Sequence, residues 1–186
     1  MKYELTNETK LCMGKTLYRI KALKSFNGIN IGDLGGFIEK SENLSQSDNA
    51  WVFGNARVYD DARVYGNAEV SSNARVYGDA MAYGNAEVYG DAEVYGNAKV
   101  TGDAEVSGNT VLRGFDTVDN TNQVMNLIGF EYNITVTYSS IHIGCKDYYI
   151  GELDSIFSDD EYQDNTDIPL IKAMVDIALE KILKDI

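Results

Sequence analysis

The chain has 186 residues, enough for one sizeable hydrophobic core with appendages, and carries 16 Lys and Arg against 29 Asp and Glu, a formal charge of −13. A surface of that sign repels phosphate backbones, so direct binding of long nucleic acid is not expected. No apolar run approaches the ~20 residues of a membrane span, no signal-peptide apolar region opens the chain, and Cys12 and Cys145 have no paired spacing, so a reduced, cytoplasmic protein with free thiols and no membrane contact is expected.

Residues 1–46 do not repeat and are the only stretch with a basic excess. Lys2–Leu5 and Thr16–Leu23 read as strands, Asn27-Gly28 as a hairpin turn, and Gly32, Gly35 and Gly36 as breaks in the segment that follows. The plainest role for this small β region is a cap on what comes next, because the uncovered end of a repeat array is an open strand edge.

From 47 to 114 a six-residue unit recurs, as in Ala56-Arg-Val-Tyr-Asp-Asp and Ala74-Arg-Val-Tyr-Gly-Asp. Valine holds one position at 52, 58, 64, 70, 76, 88, 94, 100 and 106, with Ala82 the lapse and Leu112 the last member, and small residues, nearly always alanine, stand two before. Two apolar residues two apart leave a short strand on the same side, and the Gly-Asn or Gly-Asp that follows turns the chain because it tolerates positive φ. Strand and corner in alternation make a solenoid. With three hexads to a coil, residues 18 apart stack at about 4.8 Å, giving a prism about 18 Å tall. Val52, Val70, Val88 and Val106 form one inner column; Val58, Val76, Val94 and Leu112 a second; Val64, Ala82 and Val100 the third.

The residues flanking each valine are expected to point outward, on three unlike faces. Trp51, Phe53, Glu69, Glu87, Tyr89 and Glu105 make an acidic face. Arg57, Tyr59, Arg75, Tyr77, Glu93, Tyr95 and Arg113 make a second, and Arg63, Tyr65, Met81, Tyr83 and Lys99 the third. Two readings of the gathered Arg and Tyr stay open. Tyrosines stack along a ladder and Arg pairs with Glu, or a face packs on another subunit, as ordinary structure. Alternatively the planes stack on bases and the guanidiniums hold phosphates, which makes Arg57, Tyr59, Arg75, Tyr77, Tyr95, Arg63 and Tyr65 the candidate ligand-binding residues. The corner columns alternate Asn55, Asn73, Asp91, Asn109 and Asp61, Asp79, Asn97, and lack the dense Gly-Gly-x-Gly-x-Asp pattern of calcium-binding rolls; no metal and no cofactor is expected.

The spacing Val58 to Ala62, Val76 to Ala80 and Val94 to Ala98, an aliphatic residue followed four places on by a small one, resembles the left-handed parallel β-helix of the hexapeptide-repeat proteins. The resemblance implies the left hand and a homotrimer. Gly32-Asp-Leu-Gly-Gly-Phe-Ile-Glu, leading through Leu44 into Ala50-Trp-Val, the Tyr-Gly-Asn-Ala and Tyr-Gly-Asp-Ala hexads, and the ending Ile141-His-Ile-Gly-Cys with a final helix are similar to short proteins of bacteriophages and prophages. That likeness spans nearly the whole chain and transfers no catalytic residue.

Residues 115–186 read as a C-terminal α+β domain. An element begins near Asn126–Gly129, Asn133–Tyr138 alternates as a strand, and Ser140–Gly144 is its hairpin partner. Asp147–Phe157 reads as a strand end passing into a short helix with Leu153, Ile156 and Phe157 inward, Ser158–Asp167 as an acidic loop, and the last helix as capped by Thr166 or Asp167, with Pro169 in its first turn and Ile171, Met174, Val175, Ala178 and Ile182 as its apolar stripe. The single histidine, His142, lies outside the solenoid, and it stands three positions before Cys145, an odd offset that points the two to opposite faces of a strand. No Ser-His-Asp set stands out, and no catalytic residue is assigned.

The resulting expectation is a mainly β protein, a left-handed β-helix with a β cap and an α+β tail, acting as a non-enzymatic phage-type binder. It would sequester a small anionic nucleotide or block a host defence protein in the bacterial cytoplasm. The alternatives are a coenzyme A-dependent acyltransferase and a structural scaffold or virion module.

Overall fold

A computed structural model describes residues 1–114, 116–127, 133–144, 146–152 and 168–184. The chain divides into two compact units, Met1–Asn120 and Thr121–Ile186.

In the first unit β1 (Tyr3–Cys12) and β2 (Lys15–Ala22) form an antiparallel hairpin, and β2 pairs antiparallel with β3 (Leu34–Ile38). The hairpin turns at Met13 and Gly14, both at positive φ, a corner the hydropathy pattern does not announce. Asn27-Gly28 does turn the chain, closing a bridge between Phe26 and Ile29. Gly35 and Gly36 do not break their segment; they lie inside β3. A Cβ on Gly35 would stand 2.5 Å from Ile20 Cγ1 and 2.6 Å from the Val52 carbonyl, and one on Gly36 2.6 Å from Val52 Cγ1. Glycine is required there by close approach inside a strand.

β3 is also the first rung of a parallel β-solenoid, because Phe37 and Ile38 pair in parallel with Arg57 and Val58. Two-residue strands follow at every hexad: β4 (Trp51–Val52), β5 (Arg57–Val58), β6 (Arg63–Val64), β7 (Glu69–Val70), β8 (Arg75–Val76), β9 (Met81–Ala82), β10 (Glu87–Val88), β11 (Glu93–Val94), β12 (Lys99–Val100), β13 (Glu105–Val106) and β14 (Val111–Leu112). The repeat does not stop at Gly114: β15 (Thr117–Val118) pairs with β12. Three sheets result, ordered β1-β2-β3-β5-β8-β11-β14, β13-β10-β7-β4 and β15-β12-β9-β6. All three predicted inner columns are buried, with the alanine beside each valine. In the first coil Ile38 pairs with Val58 and Leu44 with Val64, a separation of 20, whereas Val52 and Val70 stand 18 apart. The two extra residues fall between Leu44 and Val52.

The first coil would leave carbonyls without a strand above them. Lys2 and Tyr3 fill that need. Lys2 Nζ donates to Ala50 O at 2.7 Å and Asp48 O at 3.1 Å, and Tyr3 Oη donates to Leu44 O at 2.7 Å. Trp51, expected to face outward, is buried under Tyr3 and Phe26, both edge-on to its ring. Burial outweighs the attraction of Asp48 and lowers the Lys2 pKa to about 8.

In the second unit β16 (Val124–Leu127), β17 (Ile134–Thr137), β18 (Ser140–Ile143) and β19 (Lys146–Tyr149) form an antiparallel sheet in that order. Helix α1 (Ile168–Lys184) carries Ile171, Val175, Ala178, Leu179 and Ile182 into a core with Leu127, Ile134, Val136, Ile141 and Ile143, and Met174 packs at its margin. The predicted stripe is present with Leu179 added. After β19 comes a short 3-10 turn, Ile150–Glu152. The readings placed on Cys145, Leu153, Ile156, Phe157, Ser158–Asp167 and the helix cap lie outside the described residues. No described helix is long and apolar enough to cross a membrane.

Lys2→Ala should strip donors from the buried Ala50 carbonyl and the part-buried Asp48 carbonyl and lower stability by roughly 2 kcal/mol, at about 1–3 kcal/mol for a buried unsatisfied group. Because folding lowers the Lys2 pKa from 10.5 to about 8, the unfolded chain holds the extra proton between those values. Native stability therefore gains from Lys2 as pH rises through that window. Urea unfolding of both forms at pH 7 and 9.5 should show the variant's deficit widen at the higher pH.

Candidate functional site

Parallel pairing sets like residues above like. On the β5-β8-β11-β14 face, the rings of Tyr59 and Tyr77 stack 5.0 Å apart and those of Tyr77 and Tyr95 4.8 Å apart, within 7° of parallel. The ladder is closed at both ends. Tyr59, expected to point outward, is 2% exposed and packs with Cys12, Leu17 and Phe37 of the hairpin and β3. At the other end the Arg113 guanidinium lies over Tyr95, 5.9 Å from its centroid, and donates to its hydroxyl at 2.8 Å. Burial raises the pKa of Tyr59 and Tyr77 above the usual phenol range, with Glu93 adding to the rise at Tyr77. Arg75 is ion-paired with Glu93, whose other oxygen accepts from Tyr77 Oη at 3.1 Å. Arg57 stands in register beside Arg75, and its Nε is buried without a hydrogen-bond partner. Rings that stack on one another have no face left for a base, so this column offers edges and hydroxyls only.

The β6-β9-β12-β15 face differs. Tyr65 stacks on Tyr83 at 4.8 Å, and the next residue along is Thr101. Above Tyr65 the neighbour is Ser45, because Leu44 bridges Val64 and Ser45 N donates to Val64 O at 2.9 Å. A serine cannot cover a phenol ring. The result is a recess of about 420 Å³ lined by Glu42, Ser45, Arg63, Val64, Tyr65 and Met81. Arg63 is exposed, and among the described residues no carboxylate lies within ion-pair distance of it; Asp61 is held instead by Lys40 at 2.7 Å. Burial raises the pKa of Tyr65, with the Tyr83 ring second, so the hydroxyl stays neutral.

The structure thus brings Arg57, Tyr59, Arg75, Tyr77 and Tyr95 together as one closed ladder, and Arg63 with Tyr65 as a separate open recess. Glu42 and Ser45 belong to that recess and were missed, because they precede the first valine hexad. Leu44, 20 residues before Val64, was the available signal. The acidic face stacks Glu69, Glu87 and Glu105 in register, and burial followed by Glu87 raises the Glu69 pKa. Among the described residues no group of three or more His, Cys, Asp or Glu is placed to hold a metal. In the second unit His142 is buried between Ser140 and Asp147, a set that sequence order did not reveal.

Fold and site together define a parallel β-solenoid of the hexapeptide type. A family model described as the YdcK beta solenoid repeat matches residues 56–72, about one coil. No curated protein matches the chain.

Tyr77 touches a ring on both sides, whereas Tyr89 has Ser71 and Ser107 as its coil neighbours. Tyr77→Ala should cost about 3 kcal/mol, from ring burial and two stacked pairs at about 0.5–1.5 kcal/mol each, and Tyr89→Ala far less, as read from urea midpoints.

Proposed function

We propose that the solenoid is a non-enzymatic binding module that sequesters a small planar anion, nucleotide in class, in the recess over Tyr65. The observation that carries this reading is the recess in which the Tyr65 face is left without a ring above it and Arg63 is without an acidic partner among the described residues. A base laid on Tyr65 would continue the Tyr65–Tyr83 stack, with stacking worth about 1–3 kcal/mol. Arg63 can meet a phosphate with two parallel donors, and the Glu42 carboxylate and Ser45 hydroxyl can pair with the donors and acceptors of a base. The surrounding negative charge favours a compact ligand over a long polyanion. The phage-type resemblance adds the setting: a cytoplasmic protein, trimeric like other hexapeptide solenoids, that withdraws a nucleotide signal from a host defence system or blocks a defence protein.

Isothermal titration with adenosine monophosphate, ADP-ribose and a cyclic dinucleotide should give saturable binding by at least one. Tyr65→Ala should weaken it about 5- to 150-fold, matching 1–3 kcal/mol, and Arg63→Gln should weaken it as well, while Tyr77→Phe leaves it unchanged. Flat titrations with all three, or equal affinity in Arg63→Gln, would remove the ligand reading. A native mass at three times that of the chain checks the trimer.

A further inference from the structure

We propose that Ser140 is an activated nucleophile, held by His142 and oriented by Asp147, that accepts a small acyl group from an ester and passes it to water. The proposal concerns the second unit and is independent of the recess over Tyr65.

Ser140 and His142 stand two apart on β18, so both side chains leave the same face of the sheet, and the register sets His142 against Asp147 on β19. His142 Nδ1 lies 2.7 Å from Asp147 Oδ1, and Nε2 lies 3.0 Å from Ser140 Oγ. An ionised carboxylate only accepts, so the imidazole proton sits on Nδ1 and Nε2 is left as the acceptor facing the serine. Thr137 Oγ1 is 3.0 Å from Ser140 Oγ, but it accepts the amides of Ser139 at 3.2 Å and Ser140 at 3.0 Å, and its own proton reaches Ser140 O at 3.2 Å. In the Nδ1-protonated neutral tautomer, Nε2 is the acceptor that faces the Ser140 hydroxyl at 3.0 Å.

The placement is not what packing alone selects. Residues 141 and 143 of β18 enter the apolar core under α1, while the same sheet buries Thr135, Thr137, Ser140 and His142, polar groups whose burial is unfavourable unless each is bonded. The imidazole is nearly closed off, at 4% side-chain exposure, and the carboxylate is open, at 55%. A nucleophile bonded to a base, with the base bonded to an orienting acid, is the arrangement that nucleophilic catalysis requires. In the step it supports, Oγ attacks the ester carbonyl carbon and Nε2 takes the hydroxyl proton. The bond to the alkoxide leaving group breaks, and that oxygen takes the proton from Nε2. Water then attacks the acyl-serine with Nε2 again as base, releasing the carboxylic acid and restoring Ser140.

The test is labelling of the full-length protein with diisopropyl fluorophosphate, mapped by peptide mass spectrometry. The expected result is an adduct on Ser140, formed at a rate that rises with pH as a single group loses its proton. His142→Gln should slow it about 100-fold or more, and Asp147→Asn, a change at an exposed carboxylate, should slow it with unaltered circular dichroism. A Ser140 that stays unmodified while other serines or tyrosines react overturns the proposal. So does an Asp147→Asn protein that labels at the wild-type rate with the same pH profile, which would make the histidine a structural strut.

Discussion

The whole first unit depends on one backbone repeat distance. The first residue of each short strand from β4 to β12 donates to a carbonyl one coil below, as Arg57 N does to Ala74 O, Arg75 N to Ala92 O and Glu93 N to Thr110 O, all at 2.9 Å. The hydrogen bonds therefore force every side chain onto its counterpart 18 residues away. What stacks well is favoured and what stacks badly must be diluted. Valines fill the interior. Tyrosines build ladders, and corner amides chain together, Asn49 to Asn67 to Asn85 to Asp103, at 2.9–3.1 Å. Glycines line the corners at positive φ, and a Cβ on Gly84 would press 2.9 Å from Gly102 N. Carboxylates fare worst: Glu69, Glu87 and Glu105 lie in register and repel.

The same constraint makes the ends the places where chemistry changes. A middle rung has a strand above and below, and its inner valines have their like on both sides. The first rung has neither a tyrosine over Tyr65 nor a strand over Ala50, and the sequence answers each vacancy differently. Over Trp51 and Ala50 the chain sets Tyr3, Phe26 and the Lys2 ammonium, closing the core. Over Tyr59 it sets Cys12, Leu17 and Phe37. Over Tyr65 it sets only Ser45, and the recess follows. The open face of Tyr65 is thus a consequence of where the cap covers the first coil and where it does not.

The period of six makes the valine columns, the three sheets and the strand order legible in the sequence, because each hexad repeats the same local message. The α1 stripe and the β17–β18 hairpin were readable for the same reason, periods of 3.6 and 2. Features that depend on contact between distant segments were not. Trp51 and Tyr59 look outward in a hexad alignment, and only the hairpin folding back over them buries them. Gly35 and Gly36 look like breakers, and only the approach of Ile20 and Val52 explains them. Ser45 falls outside the alignment because the first coil is two residues longer, and Asp147 meets His142 only through strand register. The gathering of Arg and Tyr was visible. Its division into a closed ladder and an open recess was not, since the difference lies in what caps each column.

The proposed binding site is the recess over Tyr65, where a planar anion would stack on the ring. A crystal structure of the protein soaked with adenosine monophosphate tests this most directly. The base should lie on the Tyr65 ring opposite Tyr83, with the phosphate against Arg63. A nucleotide seated on the Arg57–Tyr59–Tyr77 column, or an empty recess at saturating nucleotide, would contradict it.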